Sequence, residues 1–383
     1  QNDYTAAQGS YLRALAVLDD IGEAEVGRMP PADQVLYAKT LAWLYLNLAD
    51  LKLELDDIRQ LRVYLQYSQD VLARFAAEFP ELETELKEGQ ARMHAYLGHY
   101  ERSIHLYQQL SEAFLEQQTN DWLRIRLRVL QLYLDSDQYK EAIAVGEQIL
   151  ERQQQLLAAI PRRKIQLLRN LTNAYLKEGR VVAARHTLKM ARAVLPEVGN
   201  AQEALFVEVL NAQILCAEQR FSEAQTIINK VLESNALPPS SALAEIQALK
   251  SNILFQLYKE KNVVALLDSS FYWAQNSWAT LDKYELETFS YQFFGKNYRY
   301  PTECLLQVLF EQNRLQPSPD LQQRILDVLE LSRGRSLKLG RQWQAVDSPQ
   351  SQAYESARAI YLRLLKQRLV LESSEVQDER IYE

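Results

Sequence analysis

The chain has 383 residues but only 11 Gly and 11 Pro, about 3% of each where average usage is roughly 7% and 5%. So little turn punctuation disfavours β-sandwiches, barrels and glycine-turned α/β folds. With 47% hydrophobic and 24% charged residues a core and a solvated surface are both affordable, and a net charge of −7 is not the footprint of a general nucleic-acid binder. Two cysteines, Cys216 and Cys304, form neither a disulfide framework nor a metal knuckle. No run of eighteen apolar residues is present, so no membrane span is expected.

In chain order, apolar periodicity runs from Leu36 to Leu48 and from Ile58 to Phe75, closed by Pro80. It predicts one or two degenerate helix pairs. A motif then recurs: Gly98-His99-Tyr100-Glu101-Arg102-Ser103, Asp137-Gln138-Tyr139-Lys140-Glu141-Ala142, Gly179-Arg180-Val181-Val182-Ala183-Ala184 and Gln219-Arg220-Phe221-Ser222-Glu223-Ala224. Each is a turn residue, an apolar anchor two positions on, and a small residue three beyond that. The anchor fills the bend of a helical hairpin, and the small residue lets two helices approach closely. Tyr107, Gly146, Leu188 and Ile228 continue the same face, followed by Leu110, Ile149, Ala191 and Val231. The period is about forty residues, and a fifth copy is expected at Glu260 with Ala265 in the small position. The fold expected is all-α, a right-handed superhelix of antiparallel helix pairs.

The third copy resembles the tetratricopeptide repeat, through Leu171, Thr172, Tyr175, Gly179, Ala184, Ala191 and Pro196. Thr172 departs from that family's preference for Gly or Ala. The resemblance implies a repeat array over residues 1–270, clearest over 84–235. An aromatic-rich helical end is expected over 271–316, and a long helical connector over 317–383.

Enzyme motifs are missing: no GxGxxG, GxxxxGK[ST], HExxH or CxxC occurs. A Cys-His dyad of Cys216 with His94 or His186 is weighed against ordinary packing, and packing is preferred. No cofactor and no metal are expected. Binding is the better question. On the first helix of the third pair, Arg169, Asn173 and Lys177 stand at i, i+4 and i+8, so one stripe presents a guanidinium, an amide and an ammonium. Such a stripe can hold a carboxylate while the amide pairs with a peptide backbone. It resembles the carboxylate clamp of peptide-binding tetratricopeptide domains, with Arg128 and Lys250 in flanking units as further contributors. Residues 151–200 carry ten basic and three acidic side chains, whereas residues 1–90 carry eight basic and sixteen acidic. An acidic peptide or protein partner and internal pairing of the basic belt are both consistent with this dipole. Few aromatics interleave the belt, which counts against nucleic acid.

Residues 271–300 are dense in aromatics, including Trp273, Trp278 and Tyr291. They read either as a core where the array ends or as an interface, with core preferred. After Pro317 and Pro319, the segment Glu330-Leu331-Ser332-Arg333-Gly334-Arg335-Ser336-Leu337 resembles the connector between tetratricopeptide repeats and the CHAT domain, a caspase-like and separase-like protease, in bacterial proteins. Glu330, Ser332, Arg333, Arg335 and Leu337 carry that match, which implies an intramolecular CHAT partner for Arg333 and Arg335. The function expected is a non-catalytic scaffold that binds protein or peptide and regulates such a protease. The alternative is a stand-alone receptor, or the repeat domain of a transcriptional regulator. A cytoplasmic location is expected, with periplasm or secretion the alternative because the chain starts at Gln1 without Met.

Overall fold

A computed structural model describes residues 2–21, 23–55, 57–74, 78–113, 120–152, 154–234, 241–288 and 299–329. Every regular element among them is a helix: sixteen run from α1 (Asn2–Asp19) to α16 (Arg299–Leu315), and residues 319–329 are also helical. The chain forms two compact units, residues 1–220 and 221–383.

In the first unit the hairpins are α3 (Pro31–Glu54) with α4 (Ile58–Arg74), α5 (Pro80–Tyr96) with α6 (Tyr100–Ala113), α7 (Asn120–Asp135) with α8 (Tyr139–Arg152), and α10 (Pro161–Lys177) with α11 (Val181–Val198). The short α9 (Gln154–Ala159) precedes α10, and α12 (Ala201–Ala217) packs on both α10 and α11. Proline opens α3, α5 and α10 at Pro31, Pro80 and Pro161, where its missing N–H costs nothing and its fixed φ is already helical.

The bends share one backbone geometry. Gly98, Asp137, Gly179 and Gln219 all have positive φ, between 59° and 74°. At each, the next residue's N–H reaches back five positions to a helix carbonyl: His99 to His94, Gln138 to Tyr133, Arg180 to Tyr175 and Arg220 to Leu215, all at 2.8 Å. This left-handed cap satisfies carbonyls the helix end would orphan. The following helix starts at the anchor, at Tyr100, Tyr139, Val181 or Phe221. The small positions Ser103, Ala142, Ala184 and Ala224 are all fully buried.

Close approach is tightest at hydroxyls. The Ser103 Oγ donates to the Ala91 carbonyl at 2.7 Å, across α6 and α5. Thr172, the departure from the repeat pattern, is fully buried, donates to the Leu168 carbonyl at 2.7 Å and meets Thr187 Oγ1 at 2.8 Å. Its hydroxyl is satisfied locally, so a residue larger than Gly or Ala is tolerated there. The core of this unit joins Leu123, Leu127, Leu130, Ile149, Leu168, Leu171 and Leu188, each contributing roughly 1.5–3 kcal/mol by burial.

The second unit holds α13 (Phe221–Leu232), α14 (Ser241–Lys261), α15 (Val264–Thr288) and α16. The fifth copy is shifted from its expected register. The left-handed residue is Asn262, with φ 53°, and Ala265 is exposed. Asn tolerates the left-handed region better than Glu260 does, so α14 runs two residues further before it bends. Close approach is then made by Ser251 and Ser270, each hydroxyl donating to the other's carbonyl at 2.8 and 2.7 Å. Glu311 on α16 is buried and accepts from Tyr258 Oη at 3.0 Å while pairing with Lys259 at 2.9 Å and Arg314 at 2.7 Å.

Candidate functional site

At 100° per residue, Arg162, Gln166, Arg169, Asn170, Asn173 and Lys177 share one side of α10. Ile165, Leu168, Leu171, Thr172 and Tyr175 are buried on the other. The polar stripe therefore exists because the opposite face is committed to the core. Its members have different fates. Arg169 reaches α12, where it pairs with Glu203, both side chains being 24% exposed, and its guanidinium lies 4.4 Å over the Phe206 ring. Asn170 has a buried amide nitrogen with no hydrogen-bond partner among the described residues. Asn173 is half-buried, and Lys177 is exposed.

Equivalent first helices carry a ladder of ion pairs. Arg92 on α5 reaches Asp50 (2.6 Å) and Glu54 (3.3 Å) on α3. Arg124 on α7 holds Glu88 on α5 in a fork and also contacts Asp121 at 3.4 Å. Toward α3 and α5 the side chains are acidic. Burial raises the Asp50 carboxyl above its usual range against the pull of Arg92, and burial with Asp50, Glu81 and Glu88 raises Glu85. Behind the ladder Tyr107 is buried, which pushes its phenol up to about 12.

Of the basic belt, Arg169, Arg185 and Arg192 are paired internally, with Glu203, Glu218 and Glu208. Arg180 lies 4.8 Å over the Tyr175 ring. Arg128 is exposed on α7 without an ion pair among the described residues. Lys250 belongs to the second unit, where its ammonium sits 3.9 Å from the Trp273 ring centroid and burial lowers its pKa. Trp278 is buried among Ala274, Leu305, Leu309, Ile325 and Val328, as core. Tyr291, Arg333 and Arg335 lie outside the described residues. Asn170, Glu203 and Phe206 were not singled out by sequence reasoning. Asn170 carries a readable signal, an amide three residues before Asn173; the other two are brought in only by the packing of α12 on α10.

The residues weighed for catalysis are placed otherwise. Burial alone pushes the Cys216 thiol up to about 12, and burial likewise raises Cys304 to about 12. A thiol so raised is not a ready nucleophile at neutral pH. His94 packs against His99 with ring centroids 5.7 Å apart, and its pKa is lowered, chiefly by burial. Among the described residues no group of three or more His, Cys, Asp or Glu could hold a metal ion, and no helix is long and apolar enough to cross a membrane.

No known family profile matches the chain, and no curated protein matches it in sequence. In structure it is similar to the apo form of RapI, with a TM-score of 0.54, 12% identity, and coverage of 78% of this chain and 99% of that one. A tetratricopeptide repeat protein from Parabacteroides merdae gives a TM-score of 0.48 at 13% identity, covering 79% and 99%. A Rap protein complexed with Competence and Sporulation Factor gives 0.48 at 11%, covering 88% and 100%. The likeness to RapI is one of fold: this chain is an all-α, tetratricopeptide-like solenoid of helix pairs.

Proposed function

We propose that the chain is a non-catalytic repeat scaffold whose first-helix face holds an extended segment of a protein or peptide. The observation that carries this reading is the pair Asn170 and Asn173 on α10. A buried amide donor without a partner costs about 1–3 kcal/mol, and here it stands one turn from a second amide, beside an Arg169 fixed by Glu203 and Phe206. A peptide backbone supplies the acceptor that the Asn170 amide lacks, and Lys177 and Arg128 add charge for an acidic ligand. Lys250, in the second unit, is committed to Trp273. Short peptides selected from a displayed library on the full chain test this. Asn170→Ala and Asn173→Ala are expected to weaken them about tenfold, with Arg192→Ala as a neutral control; unchanged affinity in both Asn variants defeats the reading.

The segment Glu330 to Leu337 supports a finer reading, in which the scaffold is the sensing and regulatory part of a CHAT-type cysteine protease. The test is the reading frame that encodes this chain. A domain in the same polypeptide with one catalytic His and one Cys supports the finer reading, and its absence removes it while leaving the scaffold intact.

A further inference from the structure

The basic belt is not uniformly neutralised. Arg169, Arg185 and Arg192 each have a carboxylate on α12 or at its C-terminal cap. Around the junction of α7 with the start of α10 the cations are left without one. Arg128, Arg162 and Lys164 make no ion pair among the described residues, and Arg163 makes only a 3.3 Å hydrogen bond to Gln166. Arg163 lies within electrostatic reach of Arg124, Arg128 and Arg162, and the acid that opposes them there is Asp121, itself in contact with Arg124. Glu88, the other nearby acid, is held by the Arg124 fork.

This arrangement costs stability in isolation. The neighbouring first helices α5, α7 and α12 open with acids, at Glu81 and Glu83, Asp121, and Glu203. α10 opens instead with Arg162, Arg163 and Lys164, no acid, and no side-chain cap on Ile160. Cations in the first turn oppose the helix dipole as well as one another. A solvated surface face would not require them to converge from two helices. Arg163 is only half exposed, and burial and its like-charged neighbours both lower its pKa.

We infer that Arg128 of α7 with Arg162 and Arg163 of α10 is a docking site for the carboxylates of an acidic peptide segment. The ligand class rests on the peptide-binding reading above, which shares Arg128, whereas the cations at the start of α10 are independent of it. Planar guanidinium forks from two helices match carboxylates bidentately, and the scarcity of aromatics on α10's exposed side disfavours stacked nucleobases.

The test uses the full chain and fluorescein-labelled decapeptides, one of ten Glu and one of ten Gln, read by fluorescence anisotropy. The Glu peptide is expected to bind, to weaken as salt rises, and to lose at least about tenfold in affinity in the Arg128→Gln, Arg163→Gln double variant. Arg163→Glu is expected to raise the melting temperature while it abolishes binding, which a structural role for Arg163 would reverse. Retained binding in the double variant, equal binding of the Gln peptide, or tighter binding of a single-stranded oligonucleotide through the same residues overturns the inference. Loss of acidic-peptide binding here, together with insensitivity to Asn170→Ala and Asn173→Ala, keeps this site and removes only the groove reading.

Discussion

Arg169 of α10 and Glu203 of α12 are joined by an ion pair whose two side chains are each 24% exposed, with the Phe206 ring 4.4 Å beneath the guanidinium. The pair crosses from one repeat to the next, so it fixes how α12 lies on α10. A partly exposed pair is worth about 0.2–1 kcal/mol and the ring contact about 0.5–1. A double-mutant cycle of Arg169→Ala and Glu203→Ala, followed by urea unfolding, is expected to give a coupling near 1 kcal/mol. Additive single effects would mean the contact does not hold the interface.

Gly146 is small because Leu171 comes to it. A Cβ there would lie 2.5 and 2.6 Å from Leu171 Cδ2 and Cγ, and 3.0 Å from Leu130 Cδ1. Replacing Gly by Ala in a helix gains up to about 1 kcal/mol in propensity, but overpacking costs about 1–3 kcal/mol. Gly146→Ala is therefore expected to destabilise by about 1 kcal/mol in denaturant titration, and Gly146→Val by more. A stabilised Ala variant would show that α8 and α10 have room to spare.

The hairpin bends were legible because three residue types at fixed spacing repeat there: the turn residue, the anchor and the small residue. Asn262 escaped because its hairpin substitutes a reciprocal Ser251 and Ser270 contact for alanine, leaving Ala265 as a false match. The stripe on α10 was readable from i, i+4 spacing, but the spacing does not say which cation is already neutralised. Glu203 is 34 residues from Arg169, and only the packing of α12 brings it there. That is why a stripe read as three equal binding groups divides into a fixed Arg169 and a polar Asn173 and Lys177.

Acid should unlock the second unit at Glu311. Arg314, then Lys259 and Tyr258, hold its carboxyl down, from the ordinary 4.5 to about 2, against the opposing effect of burial. Because the folded-state pKa is below the unfolded one, the stabilisation is present above the ordinary 4.5 and is lost as pH falls toward about 2. Glu311→Gln is expected to cost about 1–2 kcal/mol at pH 7, a deficit that shrinks between pH 4.5 and 2. Stability curves that stay parallel down to pH 2 would remove Glu311 from the acid response.

Native Cys216 and Cys304 should resist alkylation. Both thiols are pushed up to about 12 by burial, so less than about one part in a thousand is thiolate at pH 8. Iodoacetamide at that pH is expected to label both only after unfolding in guanidinium, as counted by mass spectrometry. Rapid labelling of native Cys216 would reopen a catalytic role.

The bends also offer a paired test of backbone strain. Gln219 adopts φ 61° without the freedom of glycine, whereas Gly179 has φ 72° with nothing within 4 Å of where a Cβ would stand. A left-handed L-residue costs roughly 1–2 kcal/mol, partly offset because glycine has more freedom to lose on folding. Gln219→Gly is thus expected to stabilise by about 0.5–1 kcal/mol and Gly179→Ala to destabilise by about 1, measured by the same urea titration. Since the Gly179 site is sterically open, any loss there is conformational rather than steric. A neutral Gly179→Ala would mean that the bend relaxes out of the left-handed region, and the 2.8 Å bond from Arg180 to Tyr175 would then be broken, visible as faster exchange of the Arg180 amide.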